Sequence, residues 1–125
     1  MEQENHPLDG DLELKAREAR VYVIAGEGYL KERWYSQADS CFYNALLLQP
    51  DNLDANLGIG QIHLESRAYA KAAERFQKAL DLNPEHTRAQ KCYTLAMELN
   101  AESKDDHTSS IRRIYEADVS EKTVN

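Results

Sequence analysis

A sixteen-residue frame occurs twice in this chain. "YSQADSCFYNALLLQP", residues 35–50, and "YAKAAERFQKALDLNP", residues 69–84, share Y-x-x-A-x-x-x-F-x-x-A-L-x-L-x-P at an offset of 34. The correspondence extends without a gap over residues 19–52 and 53–86. Ten positions are identical: Gly26/Gly60, Leu30/Leu64, Arg33/Arg67, Tyr35/Tyr69, Ala38/Ala72, Phe42/Phe76, Ala45/Ala79, Leu46/Leu80, Leu48/Leu82 and Pro50/Pro84. A period of this length is the mark of a solenoid, in which each unit buries a face against its neighbour that it cannot bury alone.

The residues inside the unit specify helices. The second half of each unit reads A-x-x-x-F-x-x-A-L, an i, i+4, i+7 stripe that fits a helix and not a strand. The first half carries a similar stripe, Tyr22, Ala25, Gly26 and Tyr29, echoed by Asn56, Ile59, Gly60 and His63. Small residues at Gly26, Gly60, Ala38 and Ala72 let paired helices approach, and Phe42 and Phe76 fill the space beside them. Pro50 and Pro84 end the second helix of each unit by lacking an N–H and restricting the residue before them. Asp51 or Asn52 can cap the next helix, and Glu85 suits the positive helix start of the one after. Gly28 and Gly58 each cost about 1 kcal/mol of helix propensity, and no sequence feature accounts for them.

On these residues the chain resembles the tetratricopeptide repeat family. Residues 19–52 and 53–86 look like two tandem repeats, and 87–99 look like the opening helix of a third or a capping helix. The Tyr, Gly, Tyr, Tyr, Ala, Phe, Ala, Pro set is nearly complete in the first unit. Asn56 and His63 depart from it in the second, where bulky aromatics are usual. The resemblance implies an all-α solenoid of antiparallel helix pairs.

The rest of the chain frames this domain. Residues 1–18 read as an acidic arm to about Gly10 and then a helical pattern from Asp11, either a separate short helix or part of one long helix. Paired helices are expected at roughly 19–31, 35–48, 53–65 and 69–82. "NAESKDDHTSS", within 100–125, is polar and charged and reads as a linker. The following segment reads equally as a short helix at 110–118, with Ile111, Ile114, Tyr115 and Val119 on one side, or as a disordered tail.

Composition excludes several functions. A net charge of -7 on 125 residues argues against nucleic-acid and anionic-membrane partners, which need a basic surface. The start "MEQENHPLDG" is polar and acidic, unlike a signal peptide, and no apolar run approaches the roughly 20 residues of a membrane span. A cytoplasmic setting is therefore expected, with Cys41 and Cys92 as reduced thiols. His6, His63, His86 and His107 stand singly, so no metal site is expected, and no cofactor motif is complete. "GEG" at 26–28 and "GIG" at 58–60 lack the third glycine and the strand of a phosphate loop. No catalytic constellation stands out, and an enzyme is not expected.

The resemblance implies a function in protein binding. The first helix of each pair lines the concave side, which in the family holds peptides or helices of partner proteins. Projected onto this chain, that face comprises Arg20, Val23, Glu27, Leu30 and Lys31, then Asp54, Leu57, Gln61, Leu64 and Glu65, then Arg88, Lys91, Leu95 and Glu98. Its apolar members suggest an open groove, Leu57 serving as a contact; alternatively, curvature or the chain's own tail covers them. The set that grips acidic C-termini in co-chaperone repeats is missing, since its positions hold Val23, Glu27, Gly58, Arg88 and Cys92. An adaptor or chaperone-like module for a protein or peptide partner is the leading expectation. The alternatives are a chaperone of the type III secretion kind and a structural subunit that stacks on itself as a homo-oligomer or within a larger assembly.

Overall fold

The computed structural model describes residues 5–104, with side chains from Gly10 onward. All its regular structure is helical: α1 (Asn5–Lys31), α2 (Tyr35–Leu48), α3 (Leu53–Glu65), α4 (Tyr69–Leu82) and α5 (87–104). There is no strand among the described residues. Successive helices pack as two antiparallel pairs, with α2 against α3 joining them and α5 closing the second pair.

The turns follow from local chemistry. Gln49 and Asn83, each ahead of a proline, take extended backbone at φ -145° and -147°, as the proline ring demands. Each still donates its N–H to the last turn, to Ala45 O at 2.8 Å and Ala79 O at 2.9 Å. Asn52, rather than Asp51, caps α3, its Oδ1 accepting from the Ala55 N–H at 2.8 Å. At the equivalent place before α5 the cap is His86, whose Nδ1 accepts from the Ala89 N–H at 3.1 Å. The expected Glu85 is exposed.

Within each pair the chain reverses through a left-handed residue. Arg33 and Arg67 have φ of 62° and 65°. In the first turn Trp34 N–H donates to Tyr29 O at 2.9 Å and Arg33 N–H to Leu30 O at 3.0 Å. In the second, Ala68 N–H donates to His63 O at 2.8 Å and Arg67 N–H to Leu64 O at 3.1 Å. This is the Schellman arrangement, which usually has glycine at the left-handed position. Trp34 stacks on Tyr29, centroids 5.8 Å apart, supplying the apolar contact that accompanies it.

The core consists of two similar clusters, each built from three helices. Phe42, fully buried, joins Ala38 and Ala45 of its own helix to Ala19 and Val23 of α1 and to Ala55, Ile59 and Ile62 of α3. Phe76 joins Ala72, Ala73 and Ala79 to Leu57 of α3 and to Ala89 and Ala96 of α5. The leading helix of the next unit thus seals each phenylalanine, and α5 does this for the second pair. Gly58 finds its reason here. A β-carbon on Gly26, Gly58 or Gly60 would overlap a phenylalanine ring: Phe42 for the first two, Phe76 for the third. A β-carbon on Gly28 would meet nothing.

Two boundaries differ from expectation. The acidic arm is already helical from Asn5, and α1 runs unbroken to Lys31. Proline is tolerated in a helix's first turn, where Pro7 lies, and no second proline follows within α1. The first five residues of the expected linker, 100–104, continue α5 through "NAESK", in which Ala101, Glu102 and Lys104 favour helix; the rest of it lies outside the described residues. The proposed helix at 110–118 lies outside the described residues.

Candidate protein-binding groove

The leading helices α1 and α3 meet along one side of the stack, and between them lies a cavity of about 450 Å³. Arg20, Val23 and Glu27 face it from α1 at i, i+3 and i+7, and Asp54 faces it from the first turn of α3. Four of the expected groove residues are therefore gathered in one place. Ala16, Ile24, Gln49 and Asn52 complete the wall. These four were not foreseen.

Each has a structural origin. Gln49 and Asn52 belong to the turn between units, where Asn52 Nδ2 donates to Gln49 Oε1 at 2.8 Å and fixes the rim. Ala16 lies on the extension of α1 ahead of the repeat. Ile24 stands 34 residues before Gly58 and is 60% exposed, whereas Gly58 lies against Phe42. A signal that could have found Ile24 is the repeat offset, since its counterpart is a glycine.

The apolar floor is less open than expected. Val23 is 5% exposed and Leu57 3%, so both belong to the core clusters around Phe42 and Phe76. Leu57 packs with residues of α4 and α5 and is not an available contact. Leu30 and Leu64 are half-buried against the same clusters. Of the expected leucines only Leu95 is substantially exposed, at 44%. The cause is curvature: stacking the leading helices tightly enough to seal each phenylalanine also buries this row of side chains.

What remains accessible is mostly polar and of mixed charge. Arg20, Glu27, Lys31, Asp54, Glu65, Arg88, Lys91 and Glu98 are exposed. Arg88 Nη2 donates to Gln61 Oε1 at 2.7 Å, so α5 and α3 are tied across this side. Lys31, Glu65, Lys91 and Leu95 do not line the cavity between α1 and α3.

Asn56 shows how the second unit accommodates its departure from the aromatic pattern. It is 2% exposed, and its Nδ2 donates to the Asn52 carbonyl at 3.0 Å. Arg75 Nη1 donates to Asn56 Oδ1 at 3.1 Å and its Nη2 to the Tyr43 hydroxyl at 3.3 Å, with the guanidinium 5.4 Å from the Tyr43 ring centroid. This network fastens α4 to α3 and to α2 of the preceding unit, and the described residues include no buried side-chain polar atom without a partner. His63, the second departure, is held below its ordinary pKa, mainly by burial.

Little else among the described residues suggests chemistry. No group of three or more His, Cys, Asp or Glu side chains comes together as a metal site. Burial pushes the Cys41 thiol above its usual pKa, the opposite of an activated nucleophile. No helix among the described residues is long and apolar enough to cross a membrane.

Comparison with known proteins agrees with this architecture. Residues 53–86 match the sequence model of the tetratricopeptide repeat family. The chain is 32% identical over 85 residues, 68% of its length, to the cell division cycle protein 27 homolog of Caenorhabditis elegans, of which this covers 11%. It is 35% identical over 78 residues to the photosystem I assembly protein Ycf3 of Cyanophora paradoxa, covering 60% of this chain and 45% of that one. Its identity to the Ycf3 of Rippkaea orientalis is 36% over 73 residues, covering 56% and 42%. The chain spans less than half the length of each of these relatives.

Proposed function

Because the chain carries tetratricopeptide repeats, we propose that it is a protein-interaction module that holds a segment of a partner protein along the side lined by α1, α3 and α5. The cavity between α1 and α3, about 450 Å³ and walled by Arg20, Glu27, Ile24 and Asp54, carries this reading. Such a space admits a few side chains of an extended or helical segment. With the apolar row buried in the core, recognition falls to charge placement, Ile24 supplying apolar contact. Arg20 on one wall and Asp54 on the other suit a segment with both an acidic and a basic residue. Two relatives are named as assembly proteins, which favours a partner captured while it is being built into a complex. Neither catalysis nor a cofactor is part of this reading.

The test uses charge reversal at exposed positions. Pull-downs from the native host with the wild type, Arg20→Glu and Asp54→Lys, followed by mass spectrometry, should identify a protein that both variants lose. Titration of that protein, purified, should then show at least about a tenfold weakening for each variant. Equal affinity for wild type and both variants would remove the groove from the account. Leu57→Glu is unsuitable for this purpose, since its effect would be on folding.

A further inference from the structure

A second surface lies at the other side of the first unit. Glu18, Val21 and Tyr22 of α1 and Asn44, Leu47 and Leu48 of α2 enclose an open cleft of about 450 Å³. Val21 is 66% exposed, Tyr22 37% and Leu47 82%. The repeat allows a direct internal comparison. The positions equivalent to Val21 and Tyr22 in the second unit are Ala55 and Asn56, exposed by 0% and 2%, with Ala55 covered by the α2 cluster of the preceding unit. The same position in α5 is Ala89, also 0% exposed. The start of α1 is thus a stacking face of a kind the fold covers twice, and no helix among the described residues lies over it. Two of its residues are also more apolar than their counterparts, with Val21 and Leu47 where the second unit has Ala55 and Asp81.

We propose that this face pairs with the same face of a second copy of the chain, the two α1 helices antiparallel about a two-fold axis. Two observations select this occupant. The far end of the stack is a poorer match, because α5 exposes Lys91, Thr94 and Glu98 beside Leu95 and Met97, each 44% exposed, against 66% for Val21 and 82% for Leu47. The uncovered face, in contrast, is complementary to itself. Leu14, Arg17, Glu18 and Val21 follow one another at i, i+3, i+4 and i+7 and share a side of α1. An antiparallel pairing centred between Arg17 and Glu18 sets Leu14 against Val21 and Arg17 against Glu18, each contact occurring twice, as an isologous interface requires. Leu14 is 52% exposed and lies on the part of α1 that precedes the repeat, so the helical extension lengthens the contact.

Sedimentation velocity and light scattering on the full chain test this. The wild type should move toward twice the 14.3 kDa chain mass as its concentration is raised. Val21→Glu and Leu47→Glu, at exposed positions, should keep the wild-type helical circular dichroism and melting temperature while weakening dimerisation at least about tenfold. Arg17→Glu and Glu18→Arg chains should each dimerise poorly alone and pair when mixed. A wild type that holds the single-chain mass at the highest attainable concentration overturns the proposal, as does a dimer that Val21→Glu leaves intact. Charge variants that dimerise as well separately as together overturn the antiparallel arrangement. Binding of a groove partner is read separately, since Arg20 and Asp54 lie outside this face.

Discussion

The ring of Phe42 occupies the space that a β-carbon on Gly58 would need, which locks the second helix of one unit against the first helix of the next. Gly58→Ala should therefore destabilise the protein by about 1–3 kcal/mol, the usual range for overpacking a core. Gly28→Ala is the control. Gly28 is an exposed position inside α1, without a positive φ and with open space around it. That substitution should stabilise by about 1 kcal/mol through helix propensity alone. Urea unfolding of the two variants should move the midpoint in opposite directions.

Arg33 and Arg67 hold left-handed backbone at a place where glycine carries no steric penalty. Arg33→Gly and Arg67→Gly should each stabilise by about 1 kcal/mol. The two residues lie in separate turns, so the double variant should show nearly the sum. Thermal and chemical unfolding of the three variants check both the sign and the additivity.

The Asn56 amide is buried, and the guanidinium of Arg75 satisfies its oxygen. Arg75→Ala removes that donor and leaves a buried acceptor unpaired, which should cost about 1–3 kcal/mol. Tyr43→Phe loses only the longer hydrogen bond to Arg75, at 3.3 Å and exposed, and should cost much less. A double-mutant cycle between Arg75→Ala and Asn56→Ala should show coupling, because the two side chains share one interaction.

His63 gives the fold a pH dependence of definite sign. Burial is the largest influence and lowers its pKa; Asp39 and Glu74 oppose this, while Arg75 and Lys71 reinforce it. The unfolded chain, with the imidazole near its ordinary value of 6.5, then binds the proton more readily than the folded one. Stability from this residue is intact above about pH 6.5 and is lost as the pH falls below it toward the folded value. Melting curves between about pH 5 and 8 should show the wild type losing stability relative to His63→Phe on acidification. A difference between the two that does not change with pH would count against this.

Much of the molecule was legible because a repeat is periodic and periodicity survives in a single sequence. The positions of Phe42, Phe76, Pro50 and Pro84 specify two helix pairs and their ends. The extents of α1 and α5 were less legible. Pro7 lies in the first turn of α1, where proline does not stop a helix, and no proline or glycine separates 87–99 from 100–104.

The groove was legible in outline but not in depth. Arg20, Val23, Glu27 and Asp54 line one cavity, because side chains spaced at i, i+3 and i+7 share a helix face whatever lies opposite. The register could not tell that Val23 and Leu57 are sealed, since that depends on how closely α1, α3 and α5 approach. Nor did it find Ile24, which lies one position along α1 from the projected Val23 and is 60% exposed.

By itself the sequence determined which segments are helical, where they turn, and that two units nest in tandem, all of which follow from short-range spacing and backbone chemistry. Only the tertiary structure decided which side chains remain for a partner. That depends on the gap between helices far apart in the chain, and here the gap is set by a phenylalanine ring resting on glycine.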